Sequence, residues 1–348
     1  MPVLRPLSPD GRRGRPRLIL SRRQVGVGAA SVVGTWLAGC SVDRDDAADQ
    51  SESPTADERE AIPSTPREDP TDLAVLAATL ASTRDLRQTA LASAAQSRSG
   101  DALAEVSRIL GIHVAVLARL VRAGSLPGDT ADGDVPRAAP ADASEQTTSP
   151  AGAEDLAESL SVASSADVLG DELISVTAAN LPTLMSLHGV RRACVEVLTD
   201  SVDRPRLSGP DGAGAITALA GLRQCIYGLE VLAARGAGQD KDAYLQAIGS
   251  LRGPTRQLTE LAGPAAPAAP LGYRISAPLS TVRERRALAT QLMVAAAKAI
   301  IAGSGARAGD ADAIEGTVQL IGLVSRVGTS IGVPLTGFPG LSVPTADS

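Results

Sequence analysis

The chain has 348 residues, with 33 Lys and Arg against 39 Asp and Glu for a net charge of −6, and is 44% hydrophobic but only 1% aromatic. The rings are Trp36, Tyr227, Tyr244, Tyr273 and Phe338, too few for base- or sugar-stacking platforms or an aromatic-rich β-sandwich. The mild acidity argues against nucleic acid as the main partner, and two histidines, His113 and His188, exclude a histidine-rich metal site.

The first segment reads as an address. Arg12, Arg13, Arg15 and Arg17 make a basic start, Arg22 and Arg23 follow, and Val25 to Gly39 carries no charge. That uncharged run is short for a membrane-spanning helix and fits a signal peptide. The paired arginines resemble a twin-arginine export signal. Leu37-Ala38-Gly39-Cys40 resembles a bacterial lipobox, which implies cleavage of residues 1–39 and lipidation of Cys40. The expected location is the outer face of the cytoplasmic membrane, with the membrane held through the N-terminal lipid. Residues 40–71 then read as an acidic, Pro-containing tether with no apolar period, unable to offset its ordering entropy by burial.

Helical spacing starts near Asp72. Leu73, Leu76, Leu80 and Leu86 mark a helix over 72–96, and Leu103, Val106, Leu110, Val114, Leu117 and Leu120 mark a second over 101–122. Residues 123–151 read as a Pro/Gly linker. A third helix covers 153–165, or continues with interruptions to about 181, where Pro182 should end or kink it. A fourth covers 183–198. Together these make a first helical bundle, 72–200.

After a Pro/Gly break, helices are expected over 215–235, 240–261, 281–302 and 310–331, forming a second bundle within 211–342. A long Pro/Ala segment, 263–279, separates its second and third helices. The overall expectation is all-α, as two four-helix bundles, the second with a long crossover and an extended C-terminal tail. That layout is compatible with ferritin-like bundles. Cys194 and Cys225 both lie in apolar helical patterns. Export permits a disulfide between them, and buried free thiols are the alternative.

The second half resembles a family of exported actinobacterial proteins with a ferritin-like domain, DUF4439. The resemblance rests on Ala218-Leu219-Ala220-Gly221, Ile226-Tyr227-Gly228-Leu229, Gly272-Tyr273-Arg274-Ile275 with Pro278, Arg286-Ala287-Leu288-Ala289, and the stretch Val333 to Leu341. It implies a crossover lying over the bundle and structural roles for Tyr227, Tyr273 and Phe338. It also implies a metal site whose ligands are gone. A ferritin-like di-metal centre takes Glu-x-x-His from two helices, and no Glu-x-x-His occurs here. The corresponding positions hold Leu222, Arg223, Leu251, Arg252 and Met293.

No catalytic residue, metal site or cofactor is therefore assigned. Glu230 and Glu315 have apolar neighbours and are candidates to face inward, with Gln224, Gln291 and Gln319 able to join them. The alternative is that they face solvent. The function expected is a cell-envelope lipoprotein, a non-enzymatic scaffold or binding protein, with an envelope protein as partner. The alternatives are a ferritin-like metal-binding oxidoreductase with an atypical site, or a ligand-capturing lipoprotein.

Overall fold

The computed structural model describes residues 70–96, 100–124, 152–201, 205–275 and 277–342. Nine α-helices occur among them: α1 Pro70–Gln96, α2 Gly100–Gly124, α3 Ala153–Val162, α4 Ala166–Leu173, α5 Leu181–Thr199, α6 Gly212–Arg235, α7 Gly238–Ala262, α8 Val282–Ile301 and α9 Ala311–Ser330. No strand occurs among the described residues, so the chain is all-α there.

The helices start where local chemistry favours starting. Thr281 caps α8 with its hydroxyl on the Glu284 N–H, and Glu284 returns a bond to the Thr281 N–H. Asp310 caps α9 at Ala313. Pro182 does not kink a helix that passes through it. It stands in the first turn of α5, where its missing N–H would have had no intrahelical partner. The stretch expected as a helix over 153–165, or as one continuing with interruptions to about 181, forms α3 and α4, with Ser165 capping the second through Val168.

The buried carboxylate of Asp72 ties the start of α1 to the approach to α5. It accepts from the Thr177 N–H at 2.9 Å, the Thr177 hydroxyl at 2.5 Å and the Asn180 amide at 2.8 Å. Replacing it strands three donors in a site only 1% exposed. Asp72→Ala should lower unfolding free energy by about 2 kcal/mol. Urea denaturation measures this, and an unchanged midpoint would show the anchor to be dispensable.

α5 is buried on almost every side, from Leu184 through Cys194. Its most extensive partner is α9, from the other half of the chain. The main apolar core accordingly runs from Leu76 of α1 through Leu184 and Leu187 of α5 to Ile321 and Val324 of α9. A smaller cluster, around Leu86, Leu110 and Leu160, joins α1, α2 and α3 to Val190 of α5. The described helices of the two expected bundles thus share one core. α6 is long and apolar enough to cross a membrane by length and composition, but Leu219, Leu222 and Leu229 are spent in this core.

The crossover and the tail are each pinned by a ring. Along the crossover, Tyr273 packs on Tyr227 of α6 with centroids 5.5 Å apart, and Arg223 donates to the Pro267 carbonyl. The tail crosses back to the first half. Phe338 is buried edge-on against His113 at 5.1 Å, Arg108 donates to the Leu335 carbonyl at 2.7 Å, and Ser186 to the Pro339 carbonyl at 3.0 Å. Gly337 is required here, since a Cβ would sit 2.6 Å from the Ile112 side chain.

Candidate functional site

The positions that the family resemblance assigns to metal ligands are core or surface. Leu222, Leu251 and Met293 are buried apolar side chains. Arg223 reaches the crossover, and Arg252 pairs with Glu230 at 3.2 Å on the surface. Glu230 therefore does not face inward. Glu315 is partly exposed, accepting from Gln319 at 2.9 Å and lying 3.7 Å from Arg192. Under the crossover, a recess of about 240 Å³ is lined by Gln224, Tyr227, Tyr273 and Gln291 and contains no carboxylate. Among the described residues, no three His, Cys, Asp or Glu side chains come together to hold a metal.

A different site stands out on the opposite half. A cleft of about 720 Å³ opens between α1, α3 and α4, with Arg191 of α5 in its wall. Arg191 is 2% exposed. Its Nη2 donates to the Thr83 hydroxyl at 2.6 Å and its Nη1 to the Ala163 carbonyl at 3.3 Å, while its Nε has no partner. No carboxylate among the described residues is in ion-pair contact with it. Burial lowers its pKa to about 10, with Glu172 acting to raise it, so it remains a cation at neutral pH.

A buried, unpaired guanidinium is costly. Part of the cost is offset by α3, which ends at Ala163. Arg191 and Arg192 donate to the carbonyls of Ala163 and Ser164, where the helix dipole is negative. Of the Arg191 guanidinium's nitrogens, Nη1 caps the helix, Nη2 is met by the Thr83 hydroxyl, and Nε is left unsatisfied. Around the same cleft stand Asp85 of α1, Asp155 and Glu158 of α3, and Glu172 of α4. Burial pushes the Glu172 carboxyl up, and Arg191 pulls it part of the way back.

Both histidines lie near this cation and are held neutral. His113 donates from Nε2 to the Gly337 carbonyl at 2.7 Å, and burial, reinforced by Arg191, lowers its pKa to about 3. Burial, again reinforced by Arg191, takes His188 well below its usual value. Neither of its ring nitrogens makes a hydrogen bond of good geometry, although the Ala163 carbonyl is close enough to act on its charge. Glu105, two turns before His113, pairs with Arg108 at 2.7 Å. Cys194 and Cys225 are both free and buried, and burial raises both thiols to about 12. They are not a bonded pair, and at neutral pH neither is a thiolate.

Arg22, Arg23 and Cys40 lie outside the described residues. Comparison with family models, with curated proteins and with solved structures finds no match. The sequence reading missed Arg191, although it carried a signal. Leu184, Leu187, Cys194 and Val195 surround Arg191 at helical spacing, so a guanidinium stands in the buried phase of an apolar helix. His188 precedes it by one turn.

Proposed function

We propose that this chain is an exported, lipid-anchored envelope protein that binds a small molecule in the cleft beside Arg191, without catalysing a reaction on it. The binding reading rests on one observation: a buried guanidinium, in ion-pair contact with no carboxylate among the described residues, lines a cleft of ligand size. The anchor reading rests on the lipobox-like Leu37-Ala38-Gly39-Cys40 and the arginines 22 and 23 before it. The helix order α6 to α9, with its long connection before α8, supports a ferritin-like second bundle in which metal chemistry has given way to packing. The same reading treats α1, α2, α3 and α5 as the first bundle.

Two measurements test this. Cys40→Ala should abolish palmitate labelling and move the chain from the detergent to the aqueous phase on partitioning. Unchanged partitioning would retire the anchor. For the cleft, a thermal-shift screen of small metabolites is run on the intact chain and on Ser82→Trp, which fills the cleft without replacing Arg191. The reading expects at least one compound that stabilises the first and not the second. A screen with no compound that separates the two proteins would retire the binding function.

A further inference from the structure

The lining of the cleft is electrically mixed, and the mixture restricts what can sit there. Its wall carries one guanidinium, Arg191, and four carboxylates, Asp85, Asp155, Glu158 and Glu172. A simple anion is drawn to Arg191 but must pass the acids. A simple cation is drawn to the acids but leaves the buried guanidinium uncompensated, and brings a second positive charge towards it. Only a ligand with both charges relieves each half of the site.

The two halves differ in mobility and hydration. Arg191 is held from two sides, by Thr83 and Ala163, in the protein interior. There, a single opposite charge gains much more than it would in water. Asp85, Asp155 and Glu158 are solvent-exposed, and Glu172, which acts electrostatically on Arg191, is half-buried. Asp155 also accepts from the Gly152 N–H at 2.8 Å, which holds it in place at the start of α3. The anionic end of a ligand therefore belongs at the floor and the cationic end at the rim. The rest of the lining mixes the apolar side chains of Leu86, Val162 and Val168 with the hydroxyls of Thr79, Ser82, Thr89 and Ser159. The volume, about 720 Å³, lies in the range that encloses drug-sized molecules.

We infer that the cleft takes a short peptide with both ends free, its carboxylate at Arg191 and its ammonium among Asp85, Asp155, Glu158 and Glu172. This rests on the binding function proposed above and names its ligand class. The uncharged lining, part aliphatic and part hydroxyl, then meets small side chains and the peptide backbone, and the exposed acids set the entry direction.

The test uses the intact chain and three probes: trialanine, its C-terminal amide and its N-acetyl form, each titrated by calorimetry. Trialanine should bind at least ~10-fold more tightly than either blocked form, in line with loss of one charge-assisted contact. The double variant Asp85→Asn/Glu158→Gln changes exposed side chains and should fold normally. It should weaken trialanine several-fold while leaving the acetyl form unchanged or improved, which general damage to the cleft would not do. Arg191→Met should bring trialanine down to the level of its amide. If the acetyl form or the amide binds as tightly as trialanine, the inference is overturned. It is also overturned if none of the three binds. In any of these cases the binding function itself is decided separately, by whether the metabolite screen yields a compound sensitive to Ser82→Trp.

Discussion

Acidification from pH 7 to pH 5 should remove about 4 kcal/mol of unfolding free energy, most of it through His113 and His188. Both imidazoles are buried and neutral in the folded chain, with His113 lowered to about 3 and His188 well below its ordinary value. In the unfolded chain each protonates near its ordinary pKa of about 6.5. Below that point the unfolded state binds more protons than the folded state. Stability is therefore fully present above about pH 6.5 and falls with pH, by about 1.4 kcal/mol per unit for each histidine, until the folded pKa is reached. Glu172, pushed up by burial, works in the opposite sense as its own range is approached and gives a partial offset. Urea denaturation across this range measures the slope. His188→Asn should reduce the slope by about half even if it changes the stability at pH 7. A nearly flat profile for the unaltered chain would mean that the histidines are solvated or already charged when folded.

Gly189→Val should destabilise the chain by about 3 kcal/mol, at the upper end of the range for an overpacked core. Gly189 lies where α5 crosses α9. A Cβ there would stand 2.5 Å from Cγ2 of Ile321 and 3.0 Å from the Val318 carbonyl oxygen. The facing glycine of α9, Gly322, is also tightly placed, its Cβ position 3.1 Å from the Gly189 carbonyl oxygen. No side chain can be added without separating two helices that hold the halves of the chain together. The control is Gly249→Ala, on the exposed side of α7 with nothing within 4 Å of the new Cβ. Its expected effect is a gain of about 0.5–1 kcal/mol from better helix propensity. Thermal or urea unfolding of the two variants decides the matter. Equal effects would mean that the α5–α9 crossing can spread at little cost.

Much of the helical layout was legible because apolar spacing is a local signal. Leu103, Val106, Leu110 and Leu117 recur at the helical period and all are buried on α2. Pro182 was legible as a boundary but not as to which side of it the helix lay, since proline is disfavoured inside a helix and favoured in its first turn. The buried phase of Arg191 was on the page as a pattern, yet a guanidinium in an apolar stripe reads the same whether it snorkels to solvent or stays inside. The pairing of Glu230 with Arg252 was not legible, because it links residues on different helices.

The sequence alone determined the all-α class, the boundaries of every helix but α4 to within a few residues, and the absence of histidine from the second half, since each depends on residue type and local spacing. Tertiary structure alone decided that the halves share a core through α5 and α9, that the tail closes over His113, and that a cleft forms around Arg191. The physical reason is sequence separation. Thr83, Ala163, Glu172 and Arg191 lie on different elements, and only the packing of α1, α3, α4 and α5 brings a cation, its two carbonyl and hydroxyl partners and a ring of acids into one site.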